Sequence, residues 1–153
     1  MMFLPMNLGQ DALLTMTKDA ERAFPNECCG FFYGLEEGGE RRILTSTAVE
    51  NSKEGDQRRR FLISDLDYMR AERHAAKTGM TLLGVYHSHP LHPAIPSEHD
   101  LAVALPFFSY IIVSVQPEGT HHVRSWQLDD QRQFSEETIL HLPTKWKVKP
   151  HNI

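Results

Sequence analysis

Residues 86–100 read YHSHPLHPAIPSEHD, with four histidines, three prolines, two serines and two acids in fifteen positions. The stretch follows TLLGV, an apolar run that reads as a buried strand. His87 and His89 are separated by one residue at the end of that strand, so alternation turns both side chains to the same face. Asp100 falls in the first turn of a short helix for which Ser97 is the natural N-cap, and this return brings a carboxylate back toward the pair. Two histidines and one acid leave a fourth position for water, the recurring arrangement of catalytic zinc. Pro90, Pro93 and Pro96 stiffen the connection and lower the entropy lost when it is ordered. On spacing alone, a hydrogen-bonded polar loop remains the alternative, because H-x-H by itself is a weak signal.

The flanking sequence alternates helices and strands. LGQDALLTMTKDAERAF puts Leu8, Ala12, Met16, Ala20 and Ala23 or Phe24 on one helical stripe, widened by Leu13 and ended by Pro25. CCGFFYGLEE and RRILTSTAVEN read as a strand pair joined at the glycines 38–39. Polar NSKEGDQRRR is a loop and FLI an entry segment. Ser64 then caps a second helix, with Asp67 at its third position and Gly79 at its end. After the quoted stretch, Pro106 stops the short helix, and SYIIVSVQP and HHVRSWQLDD form two strands around the turn PEGT. RQFSEETILHLP has room for one further edge strand. The pattern predicts an α/β protein with a mixed central sheet flanked by helices. The 153 residues form one domain, with 143–153 as a flexible tail.

Composition narrows the class. A net charge of -4 gives no reason to expect nucleic-acid binding. Arg58, Arg59 and Arg60 read as part of a solvated loop, with a docking patch as the alternative, and the basic KWKVKPH, with Trp146, as a frayed terminus or a partner contact. The only cysteines, Cys28 and Cys29, are adjacent, so neither a disulfide framework nor a thiolate zinc knuckle is available. No apolar run approaches the roughly 20 residues that span a bilayer, and no leader opens the chain. A cytoplasmic protein without membrane contact is expected.

HSHP followed by PSEHD is similar to the H-x-H-P … S-x-x-D signature of the JAMM (Mov34/MPN/PAD-1) metallopeptidases, with ten residues between His89 and Asp100. PNECCGFFYG resembles that family's glutamate segment, and the order of elements over roughly residues 8–127 resembles the family's as well. The chain looks most like the compact prokaryotic branch. The resemblance implies a cytidine-deaminase-like three-layer fold, with His87, His89 and Asp100 as ligands to Zn2+. It implies Glu27 as the catalytic glutamate and Ser97 as a stabiliser of the oxyanion. The implied reaction is hydrolysis of a peptide or isopeptide bond after the C-terminal glycine of a small ubiquitin-like or sulfur-carrier protein. The chemistry agrees: coordination acidifies water, a carboxylate moves its proton to the departing amine, and a hydroxyl donates to the developing oxyanion.

Rival readings are a non-catalytic interaction module of the same fold, another zinc hydrolase such as a deaminase, and a metal-storage protein. The occupied Glu27 and Ser97 positions oppose the first. The absence of H-x-E with P-C-x-x-C opposes the second. The third needs His92 and His99 as ligands, whereas His99 points elsewhere on its helix. Ser88 faces away from the ligands and serves packing or a hydrogen bond beneath the site. Cys28 and Cys29 read as buried small residues, and Trp126 as a packing residue. His74, His121 and His122 are given no chemistry.

Overall fold

In a computed structural model of the chain, which describes residues 3–142, the elements run in the order β1 (Met6–Leu8), α1 (Gln10–Ala23), β2 (Cys29–Glu37), β3 (Glu40–Val49), α2 (Asp65–Thr78) and β4 (Thr81–Pro90). They continue with α3 (Glu98–Val103), β5 (Ser109–Gln116), β6 (Gly119–Leu128), β7 (Phe134–Glu137) and β8 (Ile139–His141). The basic segment 145–151, Trp146 and the expected tail at 143–153 lie outside the described residues.

All strands join one mixed sheet in the order β7-β6-β5-β4-β2-β3-β1-β8. β4 lies inside it, antiparallel to β2 and parallel to β5, which explains why its sequence has no wet face. The apolar stripe of α1, Ala12, Met16 and Ala20, packs on one face of the sheet against Met6, Leu8, Phe32, Ile43, Tyr86 and Ile111. Ala71 and Ala75 of α2 pack on the other face against Phe31, Tyr33, Val85 and Tyr110. The result is the expected helix–sheet–helix layering. The Ser64 side chain accepts from the Asp67 amide, and Gly79 closes α2 in the left-handed region at φ 73°.

Two differences from the sequence reading concern short elements. Leu8, placed on the α1 stripe, belongs instead to β1, a three-residue strand too short to show alternation. The segment expected to hold one edge strand holds two, and they occupy opposite ends of the sheet order with only Thr138 between them. One residue reaches at most about 3.6 Å, so the two edges meet there and the sheet curls. FLI forms no strand, but Phe61 and Ile63 are buried and anchor the loop that precedes α2. No helix among the described residues is long and apolar enough to cross a membrane.

Candidate metal centre

The register of β2 against β4 assembles the centre. Cys29 pairs with His87, and Cys28 exchanges bonds with Ser88: its amide donates to Ser88 Oγ at 2.8 Å, and its carbonyl accepts from the Ser88 amide at 3.2 Å. Continuing one step places Glu27 opposite His89. By alternation Glu27, His87 and His89 share the face covered by α2, while Cys28, Ser88 and Tyr86 point to the α1 side. Ser88 therefore straps the strand of Glu27 to the strand of the histidines, the hydrogen-bonding role expected of it.

His87 Nε2 lies 3.2 Å from His89 Nε2, and Asp100 Oδ2 lies 3.3 Å from the first and 3.2 Å from the second. All three residues are buried, and among the described residues they alone form a cluster with metal-ligating atoms mutually within 4.8 Å. His89 Nδ1 sits 2.8 Å from the Pro93 carbonyl. A carbonyl only accepts, so Nδ1 carries a hydrogen and the Nε2 of the neutral ring presents its lone pair to the cluster. The His87 ring stacks on Phe61 at 4.5 Å, and its buried Nδ1 has no hydrogen-bond partner. Two imidazole nitrogens and a carboxylate oxygen thus converge on one point, an arrangement of acceptors that needs a positive charge among them. A proton on His89 Nε2 meets the need, and so does a divalent first-row cation, for which this donor set is suited.

The electrostatics follow from burial and proximity. Desolvation holds His87 below the usual histidine range, against the pull of Asp100. For His89 desolvation also lowers the pKa, but bonds to Asp100 and to the Pro93 carbonyl, with the charges of Asp100 and Glu27, outweigh it and the net shift is upward. Burial would raise Asp100, yet the His87 charge, the two imidazoles and the Ser97 amide hold it well below the carboxylate range. Glu27 is pushed up to about 8, first by desolvation and then by Asp100, with His89 and Arg60 opposing.

Asp100 reaches the histidines because α3 begins in a capping box. Ser97 Oγ accepts from the Asp100 amide at 3.0 Å, and the Ser97 amide donates to Asp100 Oδ2 at 2.9 Å. The same carboxylate oxygen faces the imidazoles. Ser97 keeps its hydroxyl proton for another acceptor and lines a cleft of about 430 Å³ with Glu27, Arg59, Arg60, His89, His92, Pro93 and Ile95. The loop wall is fixed from behind. Ser114 Oγ donates to the His92 carbonyl at 2.6 Å, and Trp126 Nε1 donates to the Ala94 carbonyl at 3.1 Å.

The structure therefore brings Glu27, His87, His89, Ser97 and Asp100 to one place. His92 lines the cleft but stays out of the ligand cluster, as does His99, whose charge nevertheless reaches His87. Cys28 and Cys29 are buried and unbridged, and burial pushes both thiols up, Cys29 to about 12. Sequence reasoning missed Asn51, whose Nδ2 donates to the carbonyls of Glu27 and Arg60, 3.1 Å each. It also missed Gln57, whose carbonyl accepts from the Glu27 amide at 2.7 Å. These bonds carry Arg59 and Arg60, read as part of a solvated loop, to the cleft wall. No local pattern signals them, because each spans a loop with no periodicity.

Residues 9–129 match the family model described as prokaryotic homologues of the JAB domain. A probable TtuB-protein conjugate cleaving protease of Thermus thermophilus is 32% identical over 75 residues, 49% of this chain and 47% of that one. The match thus spans about half the length of this curated relative. Solution structures of proteins from Desulfitobacterium hafniense and Salinibacter ruber superpose with TM-scores of 0.79 and 0.69, at 28% and 31% identity, each over 90% of this chain and 92% of the other. A JAB1/MPN domain protein from Archaeoglobus fulgidus shares the fold at 19% identity, with a TM-score of 0.55 over 90% of this chain and 97% of that one.

Proposed function

The chain belongs to the family of prokaryotic JAB-domain homologues, and from that premise we propose that it is a zinc-dependent peptidase or isopeptidase. Its proposed substrate is a small ubiquitin-like or sulfur-carrier protein joined to a further group through its terminal glycine. The observation that carries the reading is one buried His87–His89–Asp100 cluster that reaches an open cleft through His89, where a second, separately buried carboxyl, Glu27, also lines the wall. The relative's name, a protease for TtuB-protein conjugates, supports the substrate class.

His87 and His89, through Nε2, and the Asp100 carboxylate would hold the metal. A bound zinc ion supplies Lewis acidity and a water acidic enough to give up a proton near neutral pH. Glu27 takes that proton on its carboxylate and returns it to the nitrogen of the departing amine. Its elevated pKa suits the second half of this task, and a cation beside it shifts the balance toward the base form that the first half needs. The Ser97 hydroxyl donates to the carbonyl oxygen as that oxygen gains charge. Buried Ser88 ties the backbone of Cys28, next to Glu27, to β4, and half-buried Asn51 ties the Glu27 carbonyl to the arginine loop, which keeps the base and the ligands in one geometry.

One domain is proposed for the chain, supported by a single sheet running through the described residues. The proposed setting is the cytoplasm, with the two unbridged thiols in its support. The test is cleavage of a ubiquitin-like carrier attached through its terminal glycine to a lysine side chain or to a further residue. Cleavage lost on chelation and restored by zinc supports the proposal. Turnover that survives complete chelation, or none by zinc-loaded protein, overturns it.

A further inference from the structure

Of the three consecutive arginines, Arg58 is engaged with Asp56, to which its Nε donates at 3.2 Å. Arg59 and Arg60 form no ion pair with any carboxylate among the described residues, and both line the cleft. Glu27 is the one acid among the described residues that line the cleft, against two arginines. The charge of Arg60 acts on Glu27, that of Arg59 acts on Asp56 outside the lining, and Arg60 Nη1 donates to the Arg59 carbonyl at 3.1 Å. Exposed arginines are ordinary, but these two are placed by structure. The Asn51 amide donates to the Glu27 and Arg60 carbonyls together, which fixes Arg60 beside the proposed acid–base group, and the Arg60 charge acts on the Glu27 carboxyl. The β4–α3 loop contributes His92, Pro93, Ile95 and Ser97 to the lining, with no arginine, lysine or carboxylate among them.

This asymmetry assigns the two sides of the scissile bond. The departing nitrogen must meet Glu27 to receive its proton, so whatever that nitrogen carries projects toward the arginine wall. In an amino acid the α-carboxylate stands two bonds from that nitrogen. A lysine side chain offers four methylenes there and no charge. Guanidinium groups pair with carboxylates through charge-assisted, frequently bidentate bonds. Resting on the hydrolase reading above, we propose that Arg59 and Arg60 bind the free carboxylate of the leaving group. The preferred substrate is then a carrier whose terminal glycine is joined to a single amino acid. The amide C–N bond breaks and a C–O bond forms from water. Glu27 moves one water proton to the nitrogen, and the products are the carrier's free carboxyl terminus and a free amino acid.

Three probes test this: a ubiquitin-like carrier extended past its terminal glycine by alanine, the same carrier extended by alaninamide, and the carrier joined to the side chain of acetyl-lysinamide. Binding is measured by calorimetry to the zinc-loaded Glu27→Gln protein, which removes turnover from the readout. Cleavage is measured with Glu27 intact. The free acid is expected to bind, and to react by kcat/KM, on the order of tenfold better than either neutral probe. In the protein carrying Arg59→Gln and Arg60→Gln the ratio is expected to fall to about one. Equal binding of acid and amide by the protein with both arginines overturns the assignment, as does a preference that survives their replacement. A preference in binding with no cleavage of any probe leaves the carboxylate site standing and overturns the hydrolase reading instead.

Discussion

Glu27 shows how one buried group ties stability to pH. Its carboxyl is 7% exposed and its pKa is pushed up to about 8 from 4.5, chiefly by desolvation. Between those two values the folded state holds a proton that the unfolded state has lost, so stability falls as pH rises through that window. In metal-stripped protein, Glu27→Gln should match the wild type near pH 4.5 and exceed it above pH 8, by an amount on the order of 5 kcal/mol. Thermal melts at the two pH values check the sign, and an equal difference at both would refute it. The residue types of the centre were legible in the sequence because His87, Ser88 and His89 are consecutive and Ser97 and Asp100 stand one helical turn apart. The pairing of Glu27 with His89 was not legible from local pattern, since it depends on the β2–β4 register. The place of Arg60 depends in the same way on Asn51, nine residues away.

At the scale of elements, the start of α3 has two duties. Ser97 caps the helix, and through the capping box it orients the carboxylate that faces the histidines. Ser97→Ala is expected to cost about 1 kcal/mol of stability and to lower kcat by roughly 10-fold to 1,000-fold. Ser97→Thr, which keeps both the cap and the donor, should recover most of each. A loss of stability with unchanged kcat would confine Ser97 to capping. The strand that carries the ligands has its own requirement. A Cβ on Gly84 would stand 1.9 Å from the Ser109 carbonyl oxygen and 2.4 Å from the Phe32 ring, so β4 and β5 pair closely only with glycine there. Gly84→Ala should destabilise by more than about 3 kcal/mol, read as a shifted denaturation midpoint. The long amphipathic helices and the apolar run of β4 were readable by period. β1 and β8 were not, because three residues show none.

For the molecule as a whole, the curled sheet holds the strand that carries the histidines from several directions. β4 is held by strands on both sides, α1 and α2 cover opposite faces, and the two sheet edges meet at Thr138. Alternating helices and strands revealed the layers, while strand order, set by contacts far apart in sequence, did not follow from them. The centre sits at the carboxyl end of β4, where the chain leaves for α3 before returning as parallel β5, the kind of place in which α/β sheets hold their ligands. The central claim is that His87, His89 and Asp100 hold a zinc ion on which Glu27 acts. The most direct measurement is zinc per chain by elemental analysis, paired with carrier cleavage, for untagged wild type, Glu27→Gln and Asp100→Ala. About one zinc is expected in wild type and Glu27→Gln and far less in Asp100→Ala, with turnover in Glu27→Gln reduced at least about a hundredfold. No stoichiometric zinc in the wild type after zinc is supplied, or undiminished turnover by Glu27→Gln, would contradict it.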